Sequence, residues 1–180
     1  MKIQTYSPSA RIFHWVSAAL MFTVIPIAWY MGTLARNDPS KGIWMTAHKS
    51  IGITILLLTL FRIAYRTKTS APELPETFSP QDKIAAHAAH ILLYFILLAM
   101  PITGYLMSVL GGHPVNWFGL FEIPPGLQID KPSGDVFHLL HKVGQWVTYA
   151  VISIHLLAVA KHVKSGNGIL ERMWPGKLGR

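Results

Sequence analysis

The stretch HKVGQWVTYAVISIH, residues 141–155, carries a histidine at each end and one other charged position, Lys142. Fourteen residues rise about 21 Å along an α-helix and return to within about 40° of the same face. The two imidazoles therefore look in one direction from two depths. What they look at is decided by the rest of the chain.

Charge is distributed unevenly. No Asp, Glu, Lys or Arg lies between Arg11 and Arg36, between Lys83 and Glu122, or between Lys142 and Lys161. Uncharged apolar runs of 18 or more residues are long enough to cross about 30 Å of hydrocarbon. Three of them in 180 residues, half of which are hydrophobic, identify an integral membrane protein. The expected spans are Ile12–Gly32, Trp44–Tyr65, Ile84–Leu110 and Val136–His162, giving an all-α four-helix bundle in one domain over residues 1–180. The second span has a charge-free centre only from Ser50 to Phe61 and reaches full length when His48 and Lys49 are included, the lysine snorkelling outward. Pro26 and Met100-Pro101 fall inside spans, where proline is tolerated and bends the helix. The first span is too long for a signal-peptide core, and Ala-Arg-Asn after it is a poor cleavage site, so it reads as retained.

Between spans two and three, TKTSAPELPETFSPQD reads as a loop, as does GGHPVNWFGLFEIPPGLQIDKPSGD between spans three and four. Trp117, Phe118 and Phe121 in the latter suit the lipid–water interface, as do Trp15, Trp44 and Trp146 elsewhere. One side of the membrane receives Lys2, Arg11, Arg62, Arg66, Lys68, Lys83, Lys161, Lys164, Arg172, Lys177 and Arg180; the other receives Arg36, Lys41, Lys49, Lys131 and Lys142. The positive-inside rule then puts both termini in the cytoplasm. The net charge of +8 is thus chiefly a topology signal and not a nucleic-acid footprint. The absence of cysteine excludes disulfides, iron–sulfur clusters and thioether-linked haem.

Ionisable residues inside membranes are costly and mark function. His141 and His48 share the outer layer, and His155 and His14 share the inner one. Two histidines from different helices at one depth supply both axial positions of a haem iron. Gly52 and Gly144, near the outer pair, are expected to leave room for a flat macrocycle. Depth alone leaves a histidine proton relay or a porphyrin-free metal site open, although neither has an embedded carboxylate to support it.

The segments RIFHW (11–15), AHKSIG (47–52), AAHAAHILLYFILLAMPITGYLM (85–107) and HLLHKVGQWVTYAVISIH (138–155) together resemble the bacterial cytochrome b561 family, whose members are four-helix dihaem proteins of the inner membrane. The resemblance covers nearly the whole chain. It implies two b-type haems, with His14 and His155 binding the inner iron and His48 and His141 the outer one. It further implies electron transfer across the membrane, most specifically oxidation of periplasmic superoxide and reduction of ubiquinone, the activity of a standalone member type. Related cytochrome b subunits instead anchor hydrogenases or other periplasmic dehydrogenases.

Other positions carry weaker expectations. Lys49 and Lys142, each directly after an outer ligand, are candidates to hold haem propionates or draw an anion, and Arg11 is a candidate for an inner propionate. His162, seven residues past His155, is the candidate for hydrogen-bonding a quinone and delivering protons, with His87 and His90 behind it. His113 and His138 have no assigned task.

Overall fold

The computed structural model describes residues 4–174; Lys2, Lys177 and Arg180 of the basic tally lie outside them. Four long helices follow one another: α1 (Pro8–Thr33), α2 (Lys41–Lys68), α3 (Pro80–Leu110) and α4 (Lys131–Lys164). All four are long and apolar enough to cross a membrane. At 26 to 34 residues they rise about 39–51 Å, more than the hydrocarbon needs. Each starts earlier than its apolar run. Ser7 caps α1 ahead of Pro8, Ser79 caps α3 ahead of Pro80, and Asp130 caps α4 just before Pro132. A capping oxygen followed by proline in the first turn is a strong start signal that hydropathy does not register.

Helices α1 and α2, α2 and α3, and α3 and α4 pack against each other, the last pair most extensively. Among the described residues α1 and α4 share no comparable interface. They meet through an aromatic cluster in which Trp29 lies 6.3 Å from Trp146 and 6.1 Å from Tyr149. Large apolar residues such as Phe61, Phe95 and Leu157 are exposed on the flanks, a surface suited to lipid and not to water. The buried polar residues of the four long helices are serines and threonines. Ser17, Thr59 and Thr148 each donate to the carbonyl four residues back, as hydroxyls in membrane helices must when no water is present.

The face of the bundle opposite the termini is covered by a hairpin, where the sequence reading expects only loop. Strands β1 (Val115–Trp117) and β2 (Phe121–Ile123) pair antiparallel. Phe118 and Gly119 both take positive φ, 50° and 73°, and Leu120 N–H closes the turn on the Trp117 carbonyl at 2.9 Å. This is the mirror-image turn that matches hairpin twist, and it normally prefers Gly or Asn at both positions. Ser50 on α2, fully buried, compensates. Its hydroxyl accepts from Phe118 N–H at 2.7 Å and lies 3.2 Å from the Asn116 carbonyl.

On the terminal face a short helix, α5 (Ile169–Met173), follows α4 and was not anticipated either. Gly168 before it adopts φ 65°, a left-handed conformation that glycine takes without steric penalty.

Ser50→Ala removes the hydroxyl that holds Phe118 in place. The expected cost is about 1–3 kcal/mol, measured as a lower Tm of the detergent-solubilised protein together with faster hydrogen exchange confined to the hairpin amides.

Candidate functional site

His48 on α2 and His141 on α4 face one another across the bundle, with ring centres 6.2 Å apart and planes at 86°. A metal–imidazole bond of about 2 Å, plus roughly 1 Å from ring nitrogen to ring centre, sets two imidazoles on opposite sides of one metal about 6–6.5 Å apart. The ring separation of the pair matches that spacing. Both line a cavity of about 350 Å³ that all four helices enclose, with Gly52, Gly104, Met100 and Tyr149 also in its wall.

The environment of His141 fixes its chemistry. Its Nδ1 lies 3.0 Å from the Met100 carbonyl, which can only accept, so Nδ1 carries the proton. Thr103 Oγ1, 3.1 Å from the same nitrogen, donates its own hydrogen to the Ala99 carbonyl at 2.8 Å and accepts from the imidazole. Nε2 is thereby left with its lone pair, the form that binds metal. The Met100 carbonyl uses its second lone pair for this bond, since a backbone oxygen carries two acceptor sites. His48 keeps one ring nitrogen, Nδ1, buried with no hydrogen-bond partner among the described residues. The Val24 backbone on α1 is within interacting reach of the ring.

Two glycines near this pair change meaning. A methyl group on Gly52 would meet nothing within 4 Å, in accord with open space for a macrocycle. Gly144, expected to do the same, does not. A Cβ there would come within 2.6 Å of Met100 Sδ, so this glycine admits the methionine side chain. The close approach the sequence reading missed is at Gly104, where a Cβ would stand 3.0 Å from His141 Cε1. Its place three residues after Pro101, one helix turn along α3, was the available signal.

Toward the terminal face His14 on α1, His90 on α3 and His155 on α4 form a second group. His155 and His90 have ring centres 6.4 Å apart with planes at 57°. His14 interacts electrostatically with both and with Arg62, and its ring stands edge-on to Trp15 at 5.4 Å. The expected partners His14 and His155 thus come to one layer, joined by His90 as a third imidazole.

The remaining candidates are placed as follows. Lys49 and Lys142 line the cavity; Lys49 Nζ donates to the Pro114 carbonyl at 3.0 Å and Lys142 Nζ to Gln145 Oε1 at 3.2 Å. A second cavity of about 670 Å³ toward the hairpin shares Lys49 and His138 with the first and adds His113 and Lys131. Arg11 Nη1 donates to the Trp174 carbonyl at 2.8 Å, and its Nε is buried and unpaired among the described residues. His162 stacks on Phe78 at 4.1 Å, takes a hydrogen bond at Nδ1 from Asn167 at 3.0 Å, and turns Nε2 toward Asp82 at 3.9 Å. His87 is engaged locally with the Lys83 carbonyl.

Residues 5–176 match the family described as prokaryotic cytochrome b561. Cytochrome b561 homolog 2 of Escherichia coli (strain K12) is 30% identical over 171 residues, covering 94% of this chain and 91% of that protein. The probable superoxide oxidase CybB of Yersinia pestis is 32% identical over 170 residues, 92% of this chain and 93% of its own. Cytochrome b561 homolog 1 of Escherichia coli (strain K12) is 22% identical, over 93% and 96% of the two chains.

Thr103→Val removes one of the two acceptors that hold His141 Nδ1–H. Outer-layer partners of this kind are worth about 10–100-fold in metal affinity. Because the Met100 carbonyl remains, the expected loss is near tenfold, read by titrating haem into the haem-depleted protein.

Proposed function

The chain belongs to the prokaryotic cytochrome b561 family, and on that premise we propose that it is an inner-membrane dihaem cytochrome b, one transmembrane domain, that takes electrons from superoxide in the periplasm and delivers them to ubiquinone. The family consists of b-type cytochromes, so haem and transmembrane electron transfer come with membership. Two haems, their ligands, the donor and the acceptor are our reading.

The observation that carries the reading is the His48–His141 pair, 6.2 Å apart across a cavity, with His141 held in the metal-binding tautomer. His14 and His155 take the corresponding role at the inner layer. Fourteen residues of α4 separate His141 from His155, about 21 Å of rise, so the two sites sit at the two sides of the hydrocarbon. A bound haem supplies a one-electron carrier at each. Where two of these imidazoles held one iron, no coordination position would be left for substrate, and electron transfer would be outer-sphere.

The chain's own residues then manage charge and protons. Lys49, Lys142 and Lys131, near the outer cavities, raise the potential where a small anion arrives and suit haem propionates as well. Arg11 has the matching place at the inner layer. Two superoxide ions each lose one electron and leave as dioxygen. One quinone gains those two electrons and two protons and becomes quinol. His162, at the end of α4 with Nε2 3.9 Å from Asp82 Oδ1, is the candidate proton donor. The competing reading, an anchor subunit for a periplasmic dehydrogenase, would use the exposed Phe118, Leu120 and Phe121 of the hairpin as the docking surface.

Stopped-flow mixing of the oxidised protein with superoxide tests the activity. Fast appearance of reduced-haem bands, followed by reoxidation that depends on added ubiquinone, is expected. Intact haems indifferent to superoxide would favour the anchor reading. His48→Ala or His141→Ala is expected to halve the haem content while the inner haem keeps its low-spin spectrum.

Orientation has its own test, made clean by the lack of native cysteine. A membrane-impermeant maleimide applied to intact cells should label Glu122→Cys on the hairpin and leave Ser165→Cys unmodified. The reverse pattern would invert the proposed topology.

A further inference from the structure

Helix α5 grips the part of α1 that carries His14. Trp15 Nε1–H donates to the Met173 carbonyl at 2.8 Å, Arg11 Nη1 to the Trp174 carbonyl at 2.8 Å, and Tyr6 N–H to the Arg172 carbonyl at 3.1 Å. The Trp15 and Trp174 rings meet edge-on at 5.4 Å. His14 therefore lies between two residues that are both tied to the same short helix, and its own ring rests on one of them. At its other side α5 is fastened to the loop between α2 and α3. Arg172, only 3% exposed, donates from Nη2 to the Pro72 carbonyl at 2.9 Å and sits 5.8 Å over the Tyr6 ring.

These ties matter because of what the helices do not share. His14 is on α1 and His155 on α4, and among the described residues those helices have no extensive interface. Helix α5 continues directly from α4, packs back on it, and reaches α1. It supplies at the terminal face the α1–α4 connection that the bundle lacks. The hairpin-side pair has no such need, because His48 and His141 lie on α2 and α4, each packed on α3 between them.

We propose that α5 is a latch that sets the position of His14 relative to His155 and so completes the inner haem site, leaving the outer site independent of it. The proposal rests on the reading of His14 and His155 as axial ligands. Its chemistry is geometric: an axial bond tolerates little displacement of the imidazole, and partners behind a ligand are worth about 10–100-fold in affinity.

The test uses the full-length chain in detergent, with haem per chain and the resolved low-spin electron paramagnetic resonance signals as readouts. Trp15→Phe removes the Nε1–H tie while keeping an aromatic ring at that position, and Arg172→Leu unfastens α5 from Pro72 at similar volume. Each single variant should keep two haems but release the inner one about tenfold faster. The double variant should fall to one haem per chain, with the outer signal unchanged as proof of folding, and should match His14→Ala. If the double variant holds both haems with both signals and dissociation rates unaltered while His14→Ala loses one, the latch is wrong and the ligand assignment stands. Loss of both haems from the double variant also overturns it, since α5 would then support the whole bundle. If His14→Ala retains both haems, the ligand assignment and the latch fall together.

Discussion

An imidazole inside hydrocarbon must direct its N–H at a protein acceptor, because no water is there to take it. His141 meets that constraint through the carbonyl of Met100, and much of the bundle is arranged around the bond. Thr103 shares the hydrogen, and Gly104 lets the ring approach α3 closely enough to reach both. Gly144 on α4 accepts the side chain of Met100 in return. The extensive α3–α4 interface thus includes two mutual accommodations, one of a methionine and one of a histidine, and it leaves His141 Nε2 with its lone pair free. A ligand oriented by a backbone carbonyl is better fixed than one oriented by a side chain, since the helix itself must move before the tautomer changes.

The two layers are constructed differently. The hairpin-side pair draws on α2 and α4 with α3 between them, and the β-hairpin covers that end, pinned to α2 through Ser50. The terminal-side group gathers three histidines from α1, α3 and α4 and depends on segments at both ends of the chain, with Tyr6, Arg11 and Trp15 held by carbonyls of residues 172–174. The hairpin-side pair has Lys49 and Lys142 beside it, and the terminal-side group has Arg62.

Much of this was legible without coordinates, and the reasons are physical. Uncharged runs locate membrane helices because burying a charge in lipid costs several kcal/mol, about 2.5–3.5 at the centre of a span on insertion scales. The depths of His48 and His141 followed from helix rise and topology, and the structure brings them together. What hydropathy could not register were the helix starts, where Ser7, Ser79 and Asp130 cap outside the apolar runs. The hairpin was hidden because its strands have three residues each and its turn puts Phe118 where glycine or asparagine is usual. Helix α5 was too short to carry a period. The role of Gly144 was misread because a glycine near a ligand can face either the cavity or a neighbouring helix, and sequence spacing does not distinguish them. His90 joins His155 for a similar reason: its depth was visible, its direction was not.

The central claim is that electrons cross the bilayer through this single chain. The direct measurement is made on the protein reconstituted into sealed vesicles with ferricyanide trapped inside and a membrane-impermeant reductant added outside. Bleaching of the trapped ferricyanide at a rate proportional to haem-loaded protein, and absent from vesicles bearing the His48→Ala variant, is the predicted result. Reduction of the haem with ferricyanide untouched until detergent opens the vesicles would contradict the account.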